Sequence, residues 1–261
     1  MSELTKGICT VGVSPIRSEG SHASEMVSQL LFGETFSILE TDTDFIKIKA
    51  DYDAYEGWIS AKQYLPINDD FTADNEKETV FVGDFFSEVI NSETQKKINV
   101  SIGCLLPHYK NGEFYIGSDK YYYKGKVISN RADANDLFGQ LRNFEGVSYL
   151  WGGRSMHGFD CSGFTQLIYK LLGYKLPRNS KQQAEIGNNV YFISEAVLGD
   201  LAFFAESEQE EEITHVGIML SNNKIMHASG IVKIDDIDSY GIIDKPNSKY
   251  SHVLKLIKRI L

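Results

Sequence analysis

Cys161 carries the most chemical promise in this chain. It follows a glycine-rich turn, Trp151-Gly152-Gly153-Arg154-Ser155-Met156-His157-Gly158, and heads a run with Phe164, Leu167, Ile168, Leu171 and Leu172 at helical spacing that stops at Gly173. This pattern predicts a cysteine in the first turn of a buried helix. Helix N-terminal N–H groups favour an anion, so the reading biases the thiol towards thiolate. A thiol nucleophile needs a base within hydrogen-bond reach, a group that orients the base, and donors for an oxyanion. His215 lies in the alternating segment Thr214-His215-Val216-Gly217-Ile218-Met219-Leu220, and His227 lies in the next apolar segment, after Asn222-Asn223.

Strand register decides whether the two histidines meet. A two-residue loop at Asn222-Asn223 would pair Ser221 with Lys224 and put His227 on the face opposite His215. A three-residue loop, Ser221 to Asn223, would pair Leu220 with Lys224 and set His227 against Gly217, on the face of His215. The catalytic reading therefore requires an odd-length loop or a bulge. Two other readings stand beside it. Cys161 can be a small buried hydrophobe and the histidines ordinary strand residues. A zinc site from Cys161, His215 and His227 is the other, but it lacks short CxxC or HxxxH spacing and a fourth ligand.

The elements that must position these residues divide the chain into three parts. Residues 1–65 read as a small barrel of short strands, over Ile8 to Val13, Thr35 to Leu39, Phe45 to Ala50 and Gly57 to Ile59, interrupted by a helical or loop stretch from Ala23 to Phe32. Residues 66–130 begin with an acidic linker, Pro66 to Glu78, and continue as a second strand-rich module. Residues 131–261 open with a helix, Ala132 to Phe144, then carry the Cys161 helix. Strands are expected at Leu201 to Phe204, Thr214 to Leu220, Lys224 to Ala228 and His252 to Lys258. Helices followed by antiparallel strands make this part α+β.

The chain has 261 residues and a formal net charge of −10, which disfavours nucleic acid and anionic membranes as partners. Cys9, Cys104 and Cys161 are odd in number and widely spaced, which argues against a disulfide framework. The N-terminus lacks an apolar leader and no run reaches membrane length, so the sequence reads as cytoplasmic. A monomer is expected.

Six blocks in order carry a resemblance: Tyr149-Leu150-Trp151-Gly152-Gly153, Gly158-Phe159-Asp160-Cys161-Ser162-Gly163-Phe164, Leu176-Pro177-Arg178-Asn179-Ser180 with Gln183, Gly199-Asp200-Leu201-Ala202-Phe203-Phe204, His215-Val216-Gly217-Ile218 and Met226-His227-Ala228-Ser229. Together they resemble the NlpC/P60 cysteine peptidases. The N-terminal modules are similar to the bacterial SH3-like domains of one branch, which cleaves the γ-D-glutamyl–diaminopimelate bond of cell-wall peptides with a free N-terminal L-alanine. The resemblance implies a papain-like domain behind two SH3-like barrels. In it Cys161 is the nucleophile, His215 the base and His227 its orienting partner. The Cys161 N–H and the Tyr149 phenol would hold the oxyanion. Asp160 and Ser162 would bind the substrate amine, with Glu34 adding a carboxylate and Tyr55 closing the S2 end. No metal or organic cofactor is implied, and the substrate is a small peptide released during murein recycling. The competing functions are an acyltransferase or amidase on the same fold, which predicts an apolar cleft, and a non-catalytic muropeptide-binding protein.

Overall fold

The computed structural model describes residues 5–68, 71, 79–129, 131–244 and 249–261. Beyond residue 68, all of the expected linker but Phe71 lies outside them. The chain forms two compact units: residues 1–132 with 170–175, and residues 133–169 with 176–261. Among the described residues no helix is long and apolar enough to cross a membrane.

In the first unit, seven strands form one antiparallel sheet in the order β3-β2-β6-β5-β4-β1-β7. They are β1 (Lys6–Cys9), β2 (Val13–Arg17), β3 (Met26–Leu31), β4 (Thr35–Thr41), β5 (Phe45–Ala50), β6 (Glu56–Ser60) and β7 (Tyr64–Ile67). Pro66 sits in β7, an edge strand, where its missing N–H interrupts no ladder. The expectation of helix or loop over Ala23 to Phe32 is corrected by β3. Four consecutive residues of that strand, Ser28 to Leu31, are buried. Burial on both faces, with Ser28 and Gln29 among the buried side chains, removes the alternation that marks a half-exposed strand.

The second module holds β8 (Val80–Val82), β9 (Ser87–Asn91), β10 (Lys97–Val100), β11 (Glu113–Ile116), β12 (Asp119–Tyr122) and β13 (Val127–Ser129). These form a four-stranded sheet and a separate β8–β13 pair. Its interior is completed by residues of the first module. Ile8, Leu31, Phe32 and Ile67 pack in one cluster with Val82, Val89, Phe114, Ile116 and Tyr121. Phe32 meets the Phe114 ring edge-on at 5.9 Å between centroids.

The second unit begins with a shorter helix than expected. α1 runs Ala134–Gly139, capped by the Asp133 carboxylate, which accepts from the Asp136 N–H at 3.1 Å; Leu141–Phe144 is a separate 3-10 turn. The short pair β14 (Arg154–Ser155) and β15 (Gly158–Phe159) leads into α2 (Cys161–Leu171), which is buried throughout. Phe144, Phe159 and Phe164 pack edge to face around it, 5.6–6.1 Å apart. After α3 (Ser180–Gln183), seven strands form the sheet β16-β22-β17-β18-β19-β20-β21. They are β16 (Asn188–Val190), β17 (Leu201–Ala205), β18 (His215–Ser221), β19 (Lys224–Ser229), β20 (Ile231–Ile237), β21 (Gly241–Asp244) and β22 (Lys249–Arg259). β22 also pairs with β21, so β17 to β22 close on themselves. β16, β20 and β21 have no counterpart among the strands expected from sequence.

Candidate active site

The glycine turn and the head of α2 approach as closely as backbone permits. A Cβ on Gly163 would lie 2.0 Å from the Gly153 carbonyl oxygen, so only glycine fits there. The Asp160 carboxylate ties the two together, accepting from the Gly152 N–H at 2.9 Å and the Gly163 N–H at 2.7 Å. The buried Arg178 guanidinium donates to both Asp160 oxygens and, at 2.9 Å, to Ser162 Oγ. Gln183, fully buried, donates to the carbonyls of Ser162 and Pro177 at 3.1 and 2.8 Å. The Leu-Pro-Arg-Asn-Ser block thus fastens the segment after α2 to the head of that helix.

The β18–β19 hairpin has a two-residue turn, with Ser221 opposite Lys224, but also a bulge. Met219 pairs with Ile225 and Ile218 with Met226, which leaves Leu220 as the extra residue. The bulge restores the register that the tight turn alone would lose, and His227 packs against Gly217. His215 Nε2 lies 2.8 Å from His227 Nδ1, the rings nearly perpendicular at 85°. His227 Nε2 lies 3.0 Å from Asp235 Oδ2, and Lys233 Nζ meets that same oxygen at 2.9 Å. On its other side the His215 ring stacks against His252, centroids 4.1 Å apart and planes 26° apart.

Cys161 Sγ reaches the backbone on both sides of His215. It lies 4.0 Å from the Thr214 carbonyl oxygen, and the Val216 N–H donates towards it. The expected thiolate bias is not what this environment produces. Burial above all, and then the Asp160 charge, push the Cys161 thiol up to about 12, against the smaller pull of the Val216 and Ser162 N–H groups. Burial also holds His215 well below the ordinary histidine value, with His252, His227 and Lys233 adding to the effect. His227 is lowered by burial too, against the opposing pull of Asp235. Both shifts favour the uncharged forms, a thiol at Cys161 and an imidazole at His215. Tyr149 enters through a bridge between its segment and Phe159; burial, then the charges of Cys161 and Asp160, raise its phenol to about 12. It therefore stays protonated and able to donate.

The other residues predicted from sequence are placed differently. Asp160 and Ser162 flank Cys161, but five donors among the described residues reach the Asp160 carboxylate, and Arg178 balances its charge. The carboxylate is therefore not free to meet a substrate amine on its own. Glu34, in the first unit, is buried. Its carboxylate accepts from Lys170 Nζ at 2.6 Å and from the Leu31 N–H at 2.9 Å. Glu34, expected to add a carboxylate opposite the substrate amine, forms an internal ion pair here, because a charge at that depth needs a partner. Tyr55 lies between β5 and β6, half-buried, its N–H donating to Asp53 at 3.1 Å.

Asp235 and His252 join the site without a sequence signal of their own. A strand beyond Ser229 would have placed Lys233 and Asp235 on the His227 face, but the mixed run Ile231–Ile237 shows no clean alternation. His252 lay in an expected strand, yet its meeting with His215 depends on how β22 closes the sheet. Among the described residues no group of three or more His, Cys, Asp or Glu side chains is arranged to hold a metal ion.

Comparison with known proteins agrees with this architecture. Residues 146–250 match the NlpC/P60 family, and residues 16–63 match the bacterial dipeptidyl-peptidase Sh3 domain. The chain is 29% identical over 219 residues to gamma-D-glutamyl-L-lysine dipeptidyl-peptidase of Bacillus subtilis (strain 168), covering 77% of this chain and 71% of the relative. It is 29% identical over 251 residues to the protein of the same name from Bacillus cereus (strain ATCC 10987 / NRS 248), covering 86% and 74%. The crystal structure of an NlpC/P60 family protein from Bacillus cereus ATCC 10987 has a TM-score of 0.80 at 21% identity, covering 98% of this chain and 99% of that one. An NlpC/P60 endopeptidase from Photobacterium damselae subsp. piscicida has a TM-score of 0.74 at 17% identity, covering 97% and 71%. At these identities the two structures speak for the fold alone.

Proposed function

We propose, from the premise that this chain belongs to the NlpC/P60 family and carries a bacterial dipeptidyl-peptidase SH3 domain, that it is a cysteine peptidase. Its substrate in this reading is a cell-wall peptide, cut at the γ-D-glutamyl–L-diamino acid bond. The observation that carries the reading is the Cys161 thiol set between the Thr214 carbonyl and the Val216 N–H, the neighbours of His215 in its strand, with His215 hydrogen-bonded to His227 at 2.8 Å.

The chemistry runs through a thiol that ionises only as it reacts. His215 takes the Sγ proton while Sγ attacks the γ-carbonyl carbon of the D-glutamyl residue. The oxyanion is held by the Cys161 N–H and the Tyr149 phenol, which is protonated over the working pH range. His215 then protonates the leaving amine of the diamino acid, and a thioester remains. Water, deprotonated by His215, attacks that thioester; the γ-carboxylate leaves and the thiol regains its proton.

The relatives supply the finer part of the reading. They are named dipeptidyl-peptidases acting at γ-D-glutamyl-L-lysine. An enzyme that releases a dipeptide must sense a free amine two residues before the cut. Asp160 and Ser162 are the residues to which this reading assigns that end of the substrate. The amine would then join the existing Asp160–Arg178 pair. Turnover of released peptides inside the cell is the role that fits such selectivity.

The test is a mass-spectrometric digest of L-Ala-γ-D-Glu-L-Lys and L-Ala-γ-D-Glu-diaminopimelate peptides, each free and N-acetylated. Release of L-Ala-D-Glu from the free peptides alone is expected. Equal cleavage of the acetylated forms would remove the amine requirement. Retention without cleavage of any would favour a binding protein. Comparison of the two free peptides reads the third-residue preference directly.

A further inference from the structure

We infer that Asp235 is a positioning residue that sets the tautomers of His227 and His215, and so decides which nitrogen of His215 can take the Cys161 proton. The inference rests on the reading of Cys161 as nucleophile. It adds a residue on β20 that neither the motif blocks nor the histidine pair requires.

The argument follows the protons along one line of contacts. Asp235 is a carboxylate and can only accept, so His227 Nε2, 3.0 Å away, must carry the hydrogen. A neutral imidazole has one N–H, which leaves His227 Nδ1 bare. His215 Nε2 lies 2.8 Å from that bare nitrogen and must donate to it. His215 then has its lone pair on Nδ1 alone. One carboxylate on the far side of His227 therefore aims the base, two rings away from itself. Without an acceptor at Asp235 both rings could reverse together, and the lone pair of His215 would turn towards His227.

The local structure holds Asp235 to this task. His227 pairs with Lys233 across β19 and β20, and Ile225 pairs with Asp235, so Asp235 is the diagonal neighbour on the His227 face. Lys233 Nζ, 2.9 Å from the accepting oxygen, keeps the carboxylate ionised and in place. Burial of the two rings favours their neutral forms, which makes the single-hydrogen count apply to each. Stacking on His252 fixes the plane of His215 from the other side.

The measurement is long-range ¹H–¹⁵N NMR on protein labelled at histidine nitrogen, which reports the protonated ring nitrogen of each histidine. In the wild type, Nε2–H is expected on both His215 and His227. In Asp235→Asn the amide can donate to His227 Nε2, so both rings should move towards Nδ1–H. The kcat for the free peptide should then fall about 10²- to 10⁴-fold, with KM within about threefold, as expected when a base holds the wrong tautomer. Asp235→Glu retains the acceptor and should keep the Nε2–H form and most of the activity. A wild-type spectrum with Nδ1–H on His215 would overturn the inference. So would a kcat of Asp235→Asn within threefold of wild type, or a loss of kcat with both tautomers unmoved. A Cys161→Ala protein separates the two readings. If it kept full activity the nucleophile assignment would fail, while its spectrum would still report the tautomers.

Discussion

At Cys161, a neutral thiol served by a neutral base, as the proposed function has it, would behave differently with pH from a preformed thiolate–imidazolium pair. Under the proposed function His215 is the base and works only when unprotonated, and burial lowers its affinity for a proton. The acid limb of kcat/KM is therefore expected below pH 6.5, and the thiol, pushed up to about 12, adds no limb near neutrality. A profile of peptide cleavage from pH 4 to 9 checks this; an acid limb at or above 6.5 would contradict it. Cys161→Ser keeps the shape but replaces the thiol by a hydroxyl that ionises far less readily, and turnover should fall at least about 10³-fold, read in the same assay. The place of this residue at the head of a buried helix was legible from its glycine turn and helical run. Its protonation state was not, because helix position predicts a thiolate and only packing reveals the opposing burial.

Among the elements, the β18–β19 hairpin bears most directly on the site. Turn residues and alternation left two registers open, and the bulge at Leu220 chooses between them. No local signature distinguishes Leu220 from its apolar neighbours, so the choice is made by the packing of the two strands. Gly217 is the position this register makes intolerant. A Cβ there would stand 2.9 Å from His227 Cβ and 2.7 Å from Ile225 Cδ1. Gly217→Ala should push His227 off His215 and lower kcat about 10- to 100-fold, measured beside a far-UV spectrum that stays near wild type. The helix α2, by contrast, could be read in advance, since Phe164, Leu167, Ile168, Leu171 and Leu172 repeat at its period and all are buried. β20 and β21 could not, because their mixed polar and apolar residues carry no clear period.

For the whole molecule, buried ionisable groups tie stability to pH. His252 is lowered to about 4, chiefly by burial, from an unfolded value near 6.5. Between those values the unfolded chain binds a proton that the folded chain refuses, so the stability is intact above pH 6.5 and is lost as pH falls towards 4. Each such histidine steepens the loss by up to about 1.4 kcal/mol per pH unit. Urea unfolding at pH 7, 5.5 and 4.5 should show His252→Gln losing less stability on acidification than wild type. In the first unit, Glu34→Gln would leave the Lys170 ammonium buried without its carboxylate. A destabilisation of about 3–5 kcal/mol is expected in denaturant titration, and a neutral outcome would remove the structural role of the pair. The tandem strand-rich modules were visible in the order of strands and turns along residues 1–130. Their common interior was not, since Leu31 and Phe32 read as part of the first module alone. That shared interior limits how such a chain can be shuffled. Recombination that carried the second module elsewhere would leave Phe114 and Tyr121 without Phe32, and would strand Ile8, Leu31 and Ile67 at the surface of what remained. On this packing the two modules are expected to be stable only together, as one unit of exchange.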